Sequence, residues 1–558
     1  MARPVSPLAT TRPQPSALLS RSVIADRFFN PAGQLSPLKN GTSGHRGLVG
    51  PGFADLHVAA MTQACVNLRA SAGRFGPMLS PEYEASIAGR PLGSIFLGKD
   101  VRHVSDFAQN TVCEVLAGNG QRVIINSQGR PTPTPVISFM ILSQNLRNML
   151  GDNSLAEGMI DTASHNAPSN GGIKTNGFNG GPNVNTAPID ELGNALMASP
   201  ELINRMPYAE ALERGLIVEM DMMSPYVEAL SRVVRMDLLK GMRFGATPLG
   251  GSGIGYFEAI NQRYDTNISV LLGEADPEGA QKVYDWDGEL RGDPSSWHVM
   301  QVIKGQREAL GVPFLGALDN DADRFGGEDA TGLLTPNQIL CVLADYLSSV
   351  RGWPTSMRIG RTIGTTHMLD AIAGSYGRTV HETNVGFKYF VDGLFNRGYV
   401  IAGEESSGCE TPALDGSVWV TEKDGIAAVL LMMEAIAHTG KDLGTLYADL
   451  VSRFGPYPYT REDTAPSEEV VGLIRQLSKD PSGVSAMLPQ NIAGSSISQL
   501  LVGDGIKIVL ANGAWILIRP SGTEPVVKNY MEAPRFEDLD PARRLMVEAY
   551  HHLGLGEF

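Results

Sequence analysis

Short apolar runs alternate with stretches of helical periodicity through most of the chain. The run Gly93–Gly98 predicts a strand, and Ser105–Gly118 predicts a helix with its apolar positions on one face. Gln121–Asn126 has the apolar, β-rich character of a further strand. This alternation is typical of α/β domains, so we expect a mainly parallel α/β body.

The C-terminal part of the chain has a different pattern. In Ile506–Ile518, the dipeptide Asn512-Gly513 separates two β-rich runs, which strongly indicates a β-hairpin. The segment Pro541–Leu553 then shows helical periodicity. The last ~120 residues are therefore predicted to form a separate α+β domain.

Composition limits the classes of protein that this chain could be. A length of 558 residues exceeds what one hydrophobic core supports and suggests three or four domains. The net charge of −15 disfavours a general role on nucleic acid or on an anionic membrane. The four cysteines include no CxxC pair, and no run of eighteen apolar residues occurs. We expect a cytoplasmic protein with a disordered, proline-bearing N-terminal tail.

Three aspartates follow the apolar run that ends at Leu318. Asp319, Asp321 and Asp323 are two positions apart, so alternate carboxylates can face the same side of an extended loop. Converging carboxylate oxygens suit Mg²⁺. An EF-hand is excluded, because Arg324 stands in place of its glycine and Ala330 in place of its glutamate. The alternative is a solvated acidic turn.

Two further stretches carry groups that suit phosphoryl chemistry. In Asp161–Asn176, Ser164 lies beside His165 and ten positions before Lys174, although a polar surface loop would look similar. The stretch Arg519–Pro525 offers a guanidinium fork, two hydroxyls and a glycine that lets backbone N–H groups approach an anion. Its alternative is an ordinary Pro-Ser-Gly turn.

Other polar positions carry weaker signals. Glu404 and Ser406, two apart after an apolar run, can point together at sugar hydroxyls, but adjacent acids usually face solvent. Lys388 and Lys423 are of a kind more often found on the surface than bound to a ligand. Arg46 lies in the glycine-rich turn Gly41–Gly47.

Taken together, these stretches resemble the α-D-phosphohexomutase family, and within it the bacterial phosphoglucomutases. TASHN resembles the family's phosphoserine loop, DNDADR its metal loop, GEESSG its sugar loop and RPSGTEP its phosphate loop, in the family's order. The resemblance implies an α/β fold of four domains around a central cleft, three phosphohexomutase-type α/β domains followed by an α+β domain. The expected divisions are a tail and lead-in at 1–40 and domains at 41–207, 208–328, 329–440 and 441–558.

The resemblance also implies a role for each matching residue. The phosphorylated nucleophile falls on Ser164, which would share Mg²⁺ with the three aspartates. The catalytic surroundings fall on Lys174, His165, Arg46 and Arg324, with Lys174 expected to transfer a proton and to have a lowered pKa. The substrate-binding positions are Glu404, Ser406, Lys388, Lys423, Arg519, Ser521, Gly522 and Thr523.

The activity that this resemblance implies is the interconversion of α-D-glucose 1-phosphate and glucose 6-phosphate. It would pass through glucose 1,6-bisphosphate, which also serves as activator, and the protein would be a monomer or homodimer. The metal loop has Asn320 where glycine is common, and Val385 replaces a threonine found in some relatives. The loop GEESSG differs from the GEMSG form of dual-specificity enzymes and the GEQSG form of glucosamine enzymes, which favours glucose. Mannose or N-acetylglucosamine phosphate, a phosphatase activity and a non-catalytic paralogue remain alternatives.

Overall fold

A seven-stranded mixed sheet forms the N-terminal part of the protein in the computed structural model. The structure describes residues 12–14, 18–41, 43–72, 84–85, 87–521 and 526–558. Four strands of the sheet run parallel, and three antiparallel strands extend one side of it. In spatial order the strands are Asn40–Gly41, Gly44–Leu48, Asn170–Asn176, Leu155–Asp161, Leu92–Lys99, Val123–Asn126 and Ile217–Met220. The expectation of a mainly parallel body therefore holds for one side of this sheet, whereas the other side is antiparallel.

Helices cover this sheet and enclose its core. The strand predicted at Gly93–Gly98 lies within Leu92–Lys99, and the helix predicted at Ser105–Gly118 lies within His103–Gly118, so both predictions are confirmed. Ile95 and Leu97 of that strand share a buried cluster with Val112 of the helix. The α-helices up to Met220 are Arg21–Phe29, Asp55–Ala72, His103–Gly118, Thr134–Arg147, Ala187–Ala198 and Tyr208–Glu213.

A five-stranded sheet follows along the chain. Its spatial order is Gly332–Leu334, Phe325–Asp329, Phe314–Leu318, Arg243–Thr247 and Asn267–Val270. Phe314–Leu318 pairs in parallel with Arg243–Thr247 and antiparallel with Phe325–Asp329, so a tight connection joins the two antiparallel strands. The strands Val283–Tyr284 and Leu290–Arg291 form a separate small hairpin. The α-helices between Met223 and Leu310 are Met223–Ala229, Tyr256–Tyr264, Trp297–Met300 and Gln306–Leu310.

The described chain divides into two compact units. The first unit consists of the described residues within Met1–Pro336, Phe387–Ala402 and Ser406–Gly444, and the second of those within Asn337–Gly386, Gly403–Glu405 and Thr445–Phe558. The helix Gly425–Thr439 of the first unit is almost entirely buried, and the Asp424 side chain caps its first turn by accepting from the Ala427 N–H. The remaining elements from Pro336 to Phe454 are Pro336–Val350, Arg358–Thr362, Met368–Ser375, Val380–Thr383, Val391–Phe395, Tyr399–Glu404, Gly408–Glu410 and Leu443–Phe454.

A six-stranded antiparallel sheet dominates the second unit. Its order is Tyr459–Thr464, Val527–Glu532, Trp515–Pro520, Ile506–Leu510, Ser495–Val502 and Asn491–Ile492. The predicted hairpin is confirmed, because Ile506–Leu510 pairs antiparallel with Trp515–Pro520 and Gly513 has a φ of +92° in the turn. The predicted last helix is confirmed at Asp540–His552. With the helices Glu468–Leu477 and Pro481–Met487, this region has the expected α+β composition.

The second unit also packs its six-stranded sheet against the loop that follows Thr362. Trp515 and Tyr530 share a buried cluster with Ile363. The Tyr459 hydroxyl donates to the Gly364 carbonyl at 2.8 Å.

Among the described residues, no helix combines the length and apolarity that a membrane span requires.

Candidate active site

Ser164 lies in the connection between the strands Leu155–Asp161 and Asn170–Asn176. Its φ of +52° is in the left-handed region, which is uncommon for a residue other than glycine and costs of order 1–3 kcal/mol. The Ser164 N–H donates to the Thr162 hydroxyl at 2.8 Å, and the Ser164 hydroxyl donates to Asp319 Oδ2 at 3.0 Å. The side chain is 1% exposed. The backbone is thus held in a strained form that directs the hydroxyl towards an aspartate.

The three aspartates lie in the connection between Phe314–Leu318 and Phe325–Asp329. Each is fully buried, and one oxygen of each lies within 4.8 Å of the others. Asp321 Oδ1 and Asp323 Oδ1 have no hydrogen-bond partner within the described parts of the chain. Buried carboxylate oxygens without partners are costly, and a divalent cation with oxygen ligands would satisfy them. The donor set therefore fits a divalent metal ion.

The pKa shifts within the aspartate group show how strongly its charges interact. Burial raises the pKa of Asp319 well above its usual value, and the charges of Asp321 and Asp323 raise it further. Burial also acts to raise the pKa of Asp321, but Lys174, with further contributions from Asp319 and Arg46, outweighs it and the net shift is downward. Opposite shifts of the pKa values of neighbouring carboxylates are expected when like charges share a buried site.

Lys174 lies on the strand Asn170–Asn176 and reaches the same aspartates. Its ammonium donates to Asp321 Oδ2 at 2.6 Å and to Asp323 Oδ2 at 3.1 Å. The prediction that its pKa is lowered is wrong. Burial does act in that direction, but the charges of Asp321, Asp323 and Glu422 outweigh it and raise the pKa. In this structure Lys174 is a fully protonated partner of the carboxylates.

His165 and Arg324 meet at a residue that was not predicted, Asp293. Arg324 Nη1 donates to both Asp293 oxygens at 3.1 Å, and its Nε lies 4.0 Å from oxygens of Asp319 and Asp323. His165 Nε2 lies 3.7 Å from Asp293 Oδ2, and its Nδ1 lies 3.5 Å from the Ser164 hydroxyl. Burial, reinforced by the charge of Arg324, lowers the pKa of His165 well below its usual value. The imidazole beside Ser164 is therefore neutral.

The structure brings two further predicted residues to this site. Lys423 lies 3.1 Å from Asp323 Oδ2. Arg46 lies on the strand Gly44–Leu48, donates to the Ser43 hydroxyl at 2.7 Å and interacts electrostatically with Asp321. Lys388 has a different contact, because its ammonium donates to the Val184 carbonyl at 3.2 Å.

Several buried groups that support the site were not predicted. Arg102 and Asn320 each donate to the Ser164 carbonyl at 2.7 Å. Asp100 accepts from the Thr162 hydroxyl at 2.7 Å and pairs with Arg102. The signal for the Asp100–Arg102 pair was its position directly after the strand Leu92–Lys99, where α/β proteins gather functional residues. Asn320 stands inside the predicted metal loop, where only the aspartates were considered.

The predicted phosphate-binding residues belong to the second unit. Arg519 lies on the strand Trp515–Pro520, is 9% exposed, and donates from Nε to Asp504 Oδ2 at 2.9 Å. Asp504 also accepts from the Val385 N–H at 3.2 Å. Ser521 is buried, and its N–H donates to the Val526 carbonyl at 2.8 Å. Gly522 and Thr523 lie outside the described residues.

The predicted sugar-reading pair is placed at the end of the strand Tyr399–Glu404. Glu404 is 4% exposed and accepts from the Gly386 N–H at 3.0 Å, a contact within the second unit. Its neighbour Glu405 accepts from the Thr362 and Thr365 hydroxyls at 2.9 and 3.1 Å. Ser406 follows in the turn before Gly408–Glu410.

A strained serine hydroxyl beside a carboxylate trio that fits a divalent cation, on an α/β scaffold, is the arrangement expected of a metal-assisted group-transfer enzyme. Comparison with known proteins agrees with this class. Residues 37–194 match "Phosphoglucomutase/phosphomannomutase, alpha/beta/alpha domain I". Residues 335–454 match alpha/beta/alpha domain III of the same family, and residues 473–550 match its C-terminal domain.

Curated relatives extend the match over nearly the whole chain. A phosphoglucomutase of Komagataeibacter xylinus is 35% identical over 548 residues, which cover 95% of this chain and 94% of the relative. A chloroplastic phosphoglucomutase of Arabidopsis thaliana is 25% identical and covers 87% of this chain and 78% of the relative. The chain therefore belongs to the phosphoglucomutase/phosphomannomutase family, and the resemblance seen in its motifs is confirmed.

Solved structures show the same fold at low sequence identity. The phosphoprotein pp63/parafusin of Paramecium, a phosphoglucomutase in its open form, aligns with a TM-score of 0.69 at 20% identity over 94% of this chain and 96% of that chain. A phosphoglucomutase/phosphomannomutase family protein of Burkholderia thailandensis aligns with a TM-score of 0.69 at 16% identity over 94% and 99%. These matches and the three family domains confirm the predicted four-domain phosphohexomutase fold. The predicted domain boundaries stay predictions.

Proposed function

We propose that the protein is a phosphoglucomutase that interconverts α-D-glucose 1-phosphate and glucose 6-phosphate through a phosphorylated Ser164. The observation that carries the proposal is the Ser164 hydroxyl, buried and 3.0 Å from Asp319 within the carboxylate trio. A serine hydroxyl is a poor nucleophile by itself, and this site surrounds it with charged groups suited to phosphoryl transfer. The 35% identity to a phosphoglucomutase supports glucose as the sugar.

The metal ion is proposed to be Mg²⁺, held by Asp319, Asp321, Asp323 and the phosphate on Ser164. Its all-oxygen donor set suits this ion, and Asp321 Oδ1 and Asp323 Oδ1, which have no hydrogen-bond partner among the described residues, are available as ligands. When bound, the ion would neutralise charge on the phosphoryl group during transfer. Arg324, fixed by Asp293, adds positive charge on the same group of carboxylates.

The proposed chemical step moves one phosphoryl group and one proton. The bond between phosphorus and Ser164 Oγ breaks as phosphorus bonds to O6 of glucose 1-phosphate, giving glucose 1,6-bisphosphate. The proton that O6 loses is balanced by the proton that Ser164 Oγ gains. Lys174, protonated in this structure, is the proposed relay between the two oxygens. After the bisphosphate has turned end for end, the O1 phosphoryl returns to Ser164 and glucose 6-phosphate leaves.

The remaining predicted residues are proposed to hold the substrate. Arg519, Ser521, Gly522 and Thr523 would bind the phosphate that is not transferred, with Arg519 oriented by its 2.9 Å hydrogen bond to Asp504. Glu404 and Ser406 would read sugar hydroxyls, and Lys388 and Lys423 would approach the substrate. His165 and Arg46 complete the surroundings of the phosphoserine.

A coupled assay of glucose 1-phosphate conversion, with and without Mg²⁺ and added glucose 1,6-bisphosphate, tests this proposal. We expect turnover that needs the metal ion and rises with the bisphosphate. Ser164→Ala should abolish turnover while the far-ultraviolet circular dichroism stays unchanged, because the variant removes only a hydroxyl. Normal turnover in Ser164→Ala would remove the central residue from the mechanism.

The same assay separates the alternatives. Relatives at 26% identity carry the names phosphoglucomutase/phosphomannomutase and phosphomannomutase, so mannose 1-phosphate is an informative competitor. N-acetylglucosamine 1-phosphate, the other alternative left by the sequence, is the second competitor to test. Higher kcat/KM on either would reassign the sugar. Release of inorganic phosphate would indicate a phosphatase, and absence of all turnover a non-catalytic paralogue. A cytoplasmic location, a monomeric or homodimeric state and a lack of nucleic-acid partners also belong to the proposal.

A further inference from the structure

The Ser164 carbonyl is held from two directions by buried side chains. Arg102 Nη2 and Asn320 Nδ2 each donate to this one oxygen at 2.7 Å. Asn320 is 2% exposed, and its Oδ1 has no partner within the described residues. The orientation of the amide follows from chemistry, because reversing it would place Oδ1 against the carbonyl oxygen and remove the bond. The side-chain amide of Asn320 therefore donates to the loop that carries Ser164.

This contact acts where the backbone needs support. At φ +52°, Ser164 occupies a conformation that glycine adopts more readily, yet glycine would lack the reacting hydroxyl. Such a backbone conformation persists only when several surrounding contacts hold it in place. The two donors fix the plane of the peptide that follows Ser164, while Thr162 accepts from the Ser164 N–H on the other side. Loss of either donor would loosen the direction in which the hydroxyl points.

Asn320 also connects this support to the carboxylate loop. It stands between Asp319, which accepts from the Ser164 hydroxyl, and Asp321, which pairs with Lys174. Its own backbone carbonyl accepts from the Ser252 N–H at 2.7 Å, so the residue is fixed independently of the serine loop. A glycine at this position, as in the common DGDADR pattern, would have no side-chain donor to offer the Ser164 carbonyl.

We propose that Asn320 is a positioning residue for phosphoryl transfer, acting by holding the carbonyl of Ser164 so that the serine oxygen keeps a fixed position relative to the carboxylate loop. The inference rests on the proposed function. In that cycle Ser164 loses and regains a phosphoryl group, so its oxygen must occupy the same position in both transfer steps of each turnover. If the position of the Ser164 oxygen varies, the transfer step slows, while the contacts that bind the substrate's phosphate keep their strength.

The test compares Asn320→Ala and Asn320→Asp with wild type in single-turnover transfer from the phosphoenzyme to glucose 1-phosphate at saturating Mg²⁺. Alanine removes the amide, and aspartate keeps its shape but has no N–H to donate. We expect transfer in both variants to slow by about tenfold, with KM for glucose 1-phosphate within about twofold of wild type. The Mg²⁺ concentration that gives half-maximal rate in Asn320→Ala should also stay within about twofold, which separates positioning from metal binding.

Asn194→Ala is the matched control. Asn194 Nδ2 also donates to backbone carbonyls, those of Leu38 and Asp190 at 2.8 Å, and among the described residues it makes no hydrogen bond to the serine or carboxylate loops. We expect this variant to lower the thermal midpoint without slowing transfer. Wild-type transfer rates in both Asn320 variants would overturn the inference, as would a slowing matched by Asn194→Ala. A wild-type protein that carries no transferable phosphoryl group would instead overturn the proposed function.

Discussion

The buried lysine beside the aspartates gives a stability prediction that depends on the metal ion. Lys174 is 1% exposed and donates to Asp321 at 2.6 Å and to Asp323 at 3.1 Å. Lys174→Met keeps most of the side-chain length but removes the charge, while Asp321 Oδ2 still accepts from the Thr134 hydroxyl at 2.9 Å. Removing one partner of a buried ion pair typically costs about 3–5 kcal/mol.

This cost should be largest when no divalent cation is present. In a chelator, the thermal midpoint of the affected domain should fall by roughly 6–20 °C, taking about 2–4 °C per kcal/mol for a domain of this size. Saturating Mg²⁺ should reduce the difference from wild type to less than half, because a cation pairs with the same carboxylates whether or not Lys174 is present. Differential scanning calorimetry of both proteins, with chelator and with Mg²⁺, measures the two differences.

Lys282→Met is the control for this experiment. Lys282 is also buried in the first unit, and its ammonium lies 3.6 Å from Asp276 Oδ2. Burial lowers the pKa of Lys282, so its charge is less well compensated and its removal should cost less. Its effect should be the same with and without Mg²⁺. If the fall in thermal midpoint caused by Lys174→Met were also the same with and without Mg²⁺, Lys174 and the metal ion would not share the aspartates. The assigned ligand set would then be wrong.

Two further predictions concern the second unit. Burial raises the pKa of Glu532 to about 7 from its usual 4.5. Between these pH values the folded state keeps a proton that the unfolded state has released. The stability that this proton contributes is therefore present at low pH and is lost as pH rises through about 7. Glu532→Gln should therefore flatten the fall of the calorimetric midpoint over that pH range, and an unchanged slope would contradict the assignment. Asp504→Asn replaces the carboxylate that accepts from Arg519 Nε at 2.9 Å with a neutral amide, which is a weaker acceptor. KM for glucose 1-phosphate should therefore rise about fivefold to tenfold, with a smaller change in kcat. A fall in kcat at constant KM would show that Asp504 acts on the chemical step instead.

Local patterns predicted the parts of this molecule that local chemistry determines. Asn512-Gly513 specified the hairpin because the turn needs positive φ, which Gly513 adopts at +92°. The spacing of Asp319, Asp321 and Asp323 indicated a converging oxygen site, and their oxygens do lie within 4.8 Å of one another. In both cases the deciding residues are neighbours in sequence.

The features that were missed depend on residues far apart in the chain. Asp293 meets Arg324 from 31 positions away, and Arg102 reaches the Ser164 carbonyl from 62 positions away. The pKa of Lys174 was misjudged for the same reason, since burial alone would lower it and the aspartates that raise it lie 147 and 149 positions along the chain. The antiparallel side of the first sheet was missed because apolar runs do not reveal strand direction.

The central claim is that the oxygen of Ser164 carries the phosphoryl group that is transferred. Its most direct test is intact-protein and phosphopeptide mass spectrometry after incubation with glucose 1,6-bisphosphate and Mg²⁺, followed by a chase with glucose 1-phosphate. We predict one phosphoryl group on the peptide that contains Ser164, lost during the chase as bisphosphate forms, and none on Ser164→Ala. A phosphoryl group on another residue, or one on Ser164 that the chase leaves in place, would contradict the account.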